Sequence, residues 1–511
     1  MRKLWILERW KFIFVSLLPF LLVPILVYWP QPPGRCMYVL VLMGICWLLE
    51  LLPIPATALI PIIAFPPLGI MTTAQTSMYY MKSSCMLFIG GLMVAIAIEN
   101  SNLHRRVGLR VLLMVGSSPR LVLLGFMIPT AILSMWISNT ASTAMMIPIL
   151  EAVLVELGAH HRNMMMLAIA FAANVGGTGT LIGTPPNLVF FEFIGKLKGQ
   201  PITFGSWMVF CAPLMFVNLL IAWLWLQLLF LPICRKNNKV KDELENISEK
   251  GETDIKTLLT SRYKDLGSMS RHEYSVLGLF LLLVVLWLTR SPGFMTGWAD
   301  LLPPGVTDAT PAILISLIMF AVPAGAGGET LLNWKLVQEK LAWGVIVLLG
   351  GGFALAEGAE RSCLNIWAGE QLAKLGGLPP QVLRIILSLL VSLITQVASN
   401  AATASMLLPV LLQLSQQLHL NPLYLMLPAT LTTSLAFMLP VSTAPNAIVF
   451  AASGMRTVDM LKAGVGLTFI TVFVTVGWTA SVGIPIFSLD DFPDWAIPNN
   501  QSLASNFRKC L

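Results

Sequence analysis

The stretch that decides the fold runs from Ile132 to Ile149 and reads ILSMWISNTASTAMMIPI. It places six Ser, Thr and Asn side chains inside an apolar segment that contains no Lys or Arg. Such side chains open a helix because they compete for its backbone hydrogen bonds. The opened backbone offers free amides, which suit an anion, and free carbonyls, which suit a small cation. We therefore expect a broken helix that binds ions.

A second copy of this arrangement lies later in the chain. Segment 395–403 reads TQVASNAAT, and a shift of 261 residues places Ser138 and Asn139 on Ser399 and Asn400. The same shift aligns the glycine pairs Gly90-Gly91 and Gly351-Gly352, with no gap across about 65 residues. A fixed offset that aligns polar and helix-breaking residues predicts an internal repeat.

Each motif is followed about 45 residues later by a Pro-Asn loop, GTPPN at 183–187 and STAPN at 442–446. Proline removes a backbone donor and stops a helix, while Gly183 allows the backbone to approach a bound ion closely. For one motif alone, hydroxyls that bond across packed helices would be the simpler explanation. The repetition of motif and loop favours a binding site.

The composition places these motifs in a membrane protein. Only 11% of the residues are charged and 56% are apolar, whereas a soluble chain is about a quarter charged. The apolar blocks match spans of about 20 residues, so we predict an all-α polytopic protein with about eleven crossings plus re-entrant pieces. The net charge of +7 is explained by cytoplasmic Lys and Arg near a cytoplasmic N-terminus, rather than by nucleic-acid binding.

The charges around the two glycine pairs predict that the repeats are inverted. The stretch after the first pair is purely basic, with His104, Arg105, Arg106, Arg110 and Arg120. Its counterpart mixes Glu360, Arg361, Glu370 and Lys374. Because basic loops face the cytoplasm, only the first stretch is expected there. Both stretches are predicted to be amphipathic helices at the membrane interface.

Several polar or small residues keep more than one interpretation. Close helix packing explains the glycine pairs as well as a re-entrant hairpin does. For Glu99 and Glu360, a polar cap is favoured over an ion ligand, and Glu50 and Glu357 are embedded acids without an assigned role. The chain has no HExxH, P-loop or GxSxG motif, so we expect no enzyme and no cofactor, and uphill transport must use an ion gradient.

These residues resemble a known family, the sodium–dicarboxylate/sulfate cotransporters, or Indy-type divalent anion/sodium symporters. Its paired Ser-Asn-Thr signature matches Ser138-Asn139-Thr140 and the variant Ser399-Asn400-Ala401. The segments LSMWISNTASTAMMIPI, LLGGGFALAEG and AFMLPVSTAPNAIVF resemble the animal di/tricarboxylate branch. The resemblance extends from about residue 10 to Trp495. It implies a plasma-membrane homodimer that takes up succinate or citrate with sodium as the coupling ion.

The resemblance also implies the binding residues. One sodium site would use Ser134, Ser138, Asn139 and Gly183, and the other Thr395, Ala398, Asn400 and Ser442. The substrate carboxylates would contact Asn139, Thr140, Thr184, Pro185, Asn400, Ala401, Thr443 and Ala444. Ala401 departs from the family pattern and lacks one hydroxyl.

The family further implies an elevator-type transporter, in which a transport domain moves against a scaffold domain. The predicted units are 1–84 (scaffold spans), 85–195 (first hairpin, interfacial helix and transport unit), 205–234 (scaffold span), 235–272 (cytoplasmic loop), 273–325 (scaffold spans), 345–455 (second hairpin, interfacial helix and transport unit) and 461–511 (last span and extracellular tail). With an odd number of crossings the tail lies outside, where Asn500 is a glycosylation acceptor.

Three other functions stay open at this point. A sulfate transporter of the same family would share the fold and the ions. A sodium-independent carboxylate exchanger would share the substrate site. An anion channel would share the broken helices, but its flux would be too fast for alternating access.

Overall fold

The computed structural model describes residues 2–114, 119–157, 161–195, 202–230, 257, 259–291, 296–303, 305–325, 328–373 and 378–496. Within these ranges, all regular secondary structure is helical apart from one isolated bridge between Pro323 and Thr330. The predicted all-α class is therefore confirmed.

The described residues form a series of α-helices. In chain order they are α1 (Arg2–Leu21), α2 (Val23–Tyr28), α3 (Pro32–Leu48), α4 (Ile54–Thr57), α5 (Ile60–Ala64), α6 (Thr73–Ser77), α7 (Ser83–Asn100), α8 (Leu103–Met114), α9 (Pro119–Ser134), α10 (Asn139–Leu157), α11 (Arg162–Gly176), α12 (Pro185–Gly195), α13 (Phe204–Phe230), α14 (Arg271–Thr289), α15 (Ala309–Ala321), α16 (Trp334–Lys340), α17 (Trp343–Arg361), α18 (Leu364–Ala373), α19 (Pro380–Ile394), α20 (Asn400–Gln417), α21 (Pro422–Ser434), α22 (Ala444–Ser453), α23 (Thr457–Ser481) and α24 (Gly483–Phe487). The stretches after both glycine pairs are helical, as expected, in α8 and α18.

Several of these helices are apolar enough to cross a membrane. Among the described residues, six segments meet the length and hydropathy of a span: Lys11–Tyr28, Thr73–Asn100, Phe204–Phe230, Arg271–Thr289, Trp343–Arg361 and Thr457–Ser481. Shorter apolar helices include α3, α9, α10, α15, α19 and α22. The protein is thus a polytopic membrane protein, and the count of about eleven crossings stays a prediction.

The chain leaves helical structure at both Ser-Asn motifs. Helix α9 ends at Ser134 and α10 begins at Asn139, while α19 ends at Ile394 and α20 begins at Asn400. The Pro-Asn loops likewise separate α11 from α12 and α21 from α22. Each half therefore has the same order of helix, break, helix, helix, loop and helix.

The two sets of four helices pack against each other reciprocally. Helix α12 of the first set packs on α20 and α21 of the second, and α22 of the second packs on α10 and α11 of the first. The last helix of each set thus packs on helices of the other set. This packing brings both motifs and both Pro-Asn loops into one region.

Both glycine pairs lie inside continuous helices, α7 and α17. A methyl group on Gly90 would lie 2.9 Å from the Ala312 carbonyl carbon, and one on Gly351 would lie 2.3 Å from the Ala58 carbonyl oxygen. Such short distances leave no room for a side chain. The structure therefore supports the close-packing interpretation of these glycines.

The last part of the expected cytoplasmic loop, 259–272, is folded onto the protein. Arg106 on α8 is buried, and its guanidinium donates to Glu273 at 2.8 Å, to Gly267 O at 2.9 Å and to Leu266 O at 3.1 Å. The loop is anchored to α8 at this point, because a buried guanidinium requires fixed acceptors, while most of its residues from 259 to 272 are exposed. Residues 235–256 lie outside the described residues.

Substituting Arg106 is expected to destabilise the fold. Arg106→Ala leaves Glu273 buried without its cation, which costs about 3–5 kcal/mol when such a pair is broken. The thermal unfolding midpoint of the purified protein should fall clearly. Arg456→Ala is the control, because that arginine is exposed and, among the described residues, its ion pair is with Asp459. Equal midpoints for the two variants would contradict the role of Arg106.

Candidate ion and substrate site

Three oxygen atoms converge at the first helix break. The Ser134 hydroxyl contacts Asn139 Oδ1 and lies 2.8 Å from the carbonyl oxygen of Ala173 on α11. Ser134 is fully buried. One hydroxyl supplies one hydrogen, so two acceptors compete for it and the cluster has an excess of oxygen lone pairs. Such a cluster suits a small hard cation.

The second break holds the same set of atoms. Thr395 Oγ1 lies 2.7 Å from Asn400 Oδ1 and 2.8 Å from the carbonyl oxygen of Thr433 on α21. Thr395 and Asn400 are the repeat partners of Ser134 and Asn139. Each half therefore contributes a hydroxyl, an amide oxygen and a backbone carbonyl, which we call the first and second oxygen clusters.

Residues 177–184 connect α11 to α12 and lead into the first Pro-Asn motif. This connection, which we include in the first Pro-Asn loop, folds tightly against the first oxygen cluster. A methyl group on Gly177 would lie 2.9 Å from Asn139 Oδ1, and one on Gly183 would lie 2.5 Å from the Gly177 carbonyl oxygen. The Asn187 side chain donates to Gly177 O at 3.1 Å and to Thr180 O at 2.7 Å, which fixes the loop from inside. Only glycine fits where backbone approaches backbone so closely.

The second Pro-Asn loop is fixed in the same way. Asn446 Nδ2 donates to Ala436 O at 3.0 Å and to Leu439 O at 3.1 Å. It also lies 3.1 Å from the Ser442 hydroxyl. Asn187 and Asn446 are therefore structural residues of the site that the sequence analysis did not assign, although both end the repeated Pro-Asn motif.

One side chain joins the two halves. Asn174 follows Ala173, whose carbonyl belongs to the first oxygen cluster. Its Nδ2 donates to Ala436 O at 3.1 Å, to Thr443 Oγ1 at 3.2 Å and to Asn446 Oδ1 at 3.1 Å. The first oxygen cluster and the second Pro-Asn loop are thus neighbours, as a shared site requires.

The predicted substrate residues differ in exposure. The exposed ones are Thr140 and Ala444; Asn139, Pro185, Asn400 and Thr443 are half-buried; Thr184 and Ala401 are buried. Because α22 packs on α10, the exposed pair lies on neighbouring helices. The predicted substrate residues are therefore more exposed near Thr140 and Ala444 than near Thr184 and Ala401.

The side chains of the remaining predicted sodium ligands either have other hydrogen-bond partners or carry no oxygen atom. Ser138 is exposed, and its hydroxyl accepts the Ala141 amide at 3.2 Å, which caps α10. The Ser442 hydroxyl donates to Leu439 O at 2.6 Å within the second loop. Ala398 is buried in the turn before Asn400 and has only its backbone to offer.

The acidic residues singled out in the sequence lie elsewhere. Glu99 pairs with Lys340 at 2.6 Å, and Glu357 pairs with Arg361 at 3.0 Å. Glu50 lies on the protein surface in the turn after α3, and its position within the membrane stays a prediction. Among the described residues, no group of three or more His, Cys, Asp or Glu could hold a metal ion. The oxygen clusters contain no ionisable group.

Comparison with known proteins gives the family of this chain. Residues 5–489 match the family model described as the sodium:sulfate symporter transmembrane region. The chain belongs to this family. The resemblance stated from the motifs is therefore confirmed, and so is the prediction of a secondary transporter rather than an enzyme.

Individual relatives match over nearly their full lengths. The chain is 40% identical to rabbit (Oryctolagus cuniculus) solute carrier family 13 member 2, over 96% of this chain and 95% of that protein. It is 37% identical to the Rattus norvegicus Na(+)/citrate cotransporter, over 97% and 98%. It is 36% identical to the Rattus norvegicus Na(+)/dicarboxylate cotransporter 3, over 97% and 95%.

Proposed function

We propose that this protein is a sodium-coupled symporter for di- or tricarboxylates of the succinate and citrate class. Two similar family members are named for sodium-coupled citrate and dicarboxylate transport. The observation that carries the proposal is the pair of oxygen clusters, each at a helix break and each with more acceptors than hydrogens. Sodium ions are the coupling ions, and no further cofactor is needed.

The chemistry of the site explains why ions and substrate travel together. A dicarboxylate at mid-membrane needs positive charge, and the proposed substrate residues include no Lys or Arg. Sodium ions in the two oxygen clusters would supply that charge. The free amides at the starts of α10 and α20, together with the Thr140 and Thr443 hydroxyls, would then bind the carboxylates.

Coupling follows if one side chain serves both ligands. The side-chain oxygen of Asn139 lies in the first oxygen cluster, which leaves its side-chain NH₂ group free to donate to a carboxylate. The side chain of Asn400 is arranged in the same way. Each ligand then raises the affinity of the other by the same factor. Simultaneous release on the far side completes a transport cycle.

The larger-scale proposals follow the family. Helices α9–α12 and α19–α22 pack on each other and would move as the transport domain, while α7 with α15, and α17 with α4, would belong to the scaffold. We propose an elevator-type homodimer in the plasma membrane, with a cytoplasmic N-terminus and an extracellular C-terminus. The acceptor Asn500 lies outside the described residues and its glycosylation stays a prediction.

Uptake into proteoliposomes tests the function. Radiolabelled citrate, succinate and sulfate are offered with an inward sodium gradient and with potassium in its place. We expect citrate or succinate to accumulate only with the sodium gradient. Dominant sulfate accumulation, sodium-independent exchange, or unsaturable flux would instead support the sulfate transporter, the exchanger or the channel.

The membrane potential gives a second test. If more than two sodium ions accompany each dianion, net positive charge enters, and 100 mV contributes about 2.3 kcal/mol per charge. That corresponds to about a 50-fold change in equilibrium accumulation. An inside-negative potassium diffusion potential should therefore increase uptake of succinate. Uptake that ignores the potential would contradict net charge transfer.

A further inference from the structure

An arginine outside the two oxygen clusters is buried and forms no ion pair with any described residue. Arg384, in the second turn of α19, is only 5% exposed. Its Nε and Nη1 have no hydrogen-bond partner among the described residues, and its guanidinium stacks on the Tyr424 ring at 4.3 Å. A buried cation with two unpartnered nitrogen atoms and no ion pair among the described residues is costly in any protein. Its presence indicates a ligand.

The residues beside Arg384 are polar and also unpartnered. Ser388 and Ser392 follow at four-residue steps on the same face of α19, both are fully buried or nearly so, and neither hydroxyl has a partner among the described residues. The opposite face of α19 is apolar and exposed at Val382, Ile386, Leu390 and Leu393. Helix α19 therefore directs its polar face inward and its apolar face outward.

The first half of the chain provides an internal comparison. The shift of 261 residues places Arg384, Ser388 and Ser392 on three residues of α9. These are Leu123, Met127 and Ala131, which are fully buried and apolar. The same helix position can thus be packed with apolar side chains, so the polar face of α19 is not a requirement of the fold.

The neighbouring helices add further unpartnered groups. Helix α19 packs on α21, which carries Tyr424, and on α23. The hydroxyls of Thr468 and Thr475 on α23 are buried and have no partner among the described residues. Unpartnered buried polar groups of a native protein usually mark a ligand or water that satisfies them.

We propose that Arg384, with Ser388 beside it, binds a small monovalent anion of the halide type between α19 and α21. Guanidinium N–H groups and hydroxyls are all donors, and a single negative charge neutralises the single positive one. The site is distinct from the substrate region, because Arg384 lies eleven residues, or about 16 Å along the helix, from Thr395.

Anion-dependent stability of the purified protein tests this site without any transport step. The thermal unfolding midpoint is measured at constant sodium while gluconate is replaced by chloride. The wild type is expected to show a saturable rise in the midpoint. In Arg384→Gln the apparent chloride affinity should fall at least tenfold, whereas Arg384→Lys, which keeps the charge, should retain part of the response.

Two further variants keep the test decisive. Arg456→Gln removes an exposed arginine and should leave the chloride response unchanged. If Arg384→Gln does not fold, the double variant Ser388→Ala/Ser392→Ala replaces it and should weaken chloride binding several-fold. A wild type without a saturable chloride response, or variants that respond as the wild type does, would overturn the proposal. Because citrate is absent, failure of the proposed transport function would not affect this result.

Discussion

Asn139→Ala is expected to reduce sodium-dependent uptake about 100-fold or more, while the variant still reaches the membrane. The substitution removes Oδ1 from the first oxygen cluster and the NH₂ arm proposed to bind the carboxylate. Hydrogen bonds to charged ligands contribute about 1.5–3 kcal/mol each, so two lost contacts exceed the 2.7 kcal/mol that a 100-fold change requires. The loss should appear in both sodium and substrate affinity.

The measurement is initial-rate citrate or succinate uptake over a series of sodium concentrations, normalised to protein in the membrane. Asn333→Ala is the matched control, because Asn333 is exposed and its side chain caps α16 by accepting the Leu336 amide. It should transport at the wild-type rate. Normal uptake by Asn139→Ala would show that the first oxygen cluster does not carry the coupling ion.

Much of the site could be predicted from the sequence because its polar side chains are conspicuous in an apolar background. Ser134, Asn139, Thr395 and Asn400 lie where the repeat places them, and the helices break at the motifs. The Pro-Asn loops gave a comparable signal, because proline stops a helix and glycine permits backbone conformations and close approaches that other residues do not.

The backbone part of the site could not be predicted in this way. The carbonyls of Ala173 and Thr433 complete the oxygen clusters, but every residue has a carbonyl and the side chains there give no pattern. Asn174 connects the halves across more than 260 residues. Its role depends on tertiary packing, which a single sequence does not encode as spacing.

Charged residues were the least predictable feature of the fold. The basic residues of α8 suggested only a cytoplasmic surface, yet Arg106 is buried and bonds to the segment before α14. The burial of Arg106 is set by a partner segment about 160 residues away in sequence, which local composition does not reveal.

Gly183→Ala is expected to raise the sodium concentration for half-maximal uptake at least tenfold. The added methyl group would lie 2.5 Å from the Gly177 carbonyl oxygen. The hydrogen bond that this oxygen accepts from the Asn187 side chain at 3.1 Å opposes its movement away from the methyl group. The loop must therefore shift away from Asn139 and the first oxygen cluster. Since backbone meets backbone at this point, no rotamer change relieves the overlap.

The control for this variant is a helical glycine whose added methyl group would meet no other atom. A methyl group on Gly278 of α14 meets nothing within 4 Å, and alanine stabilises a helix relative to glycine by about 1 kcal/mol. Gly278→Ala should therefore keep wild-type sodium dependence. If Gly183→Ala also keeps it, the first Pro-Asn loop does not shape the sodium site. A loss confined to maximal rate would instead place the loop in the movement of the transport domain.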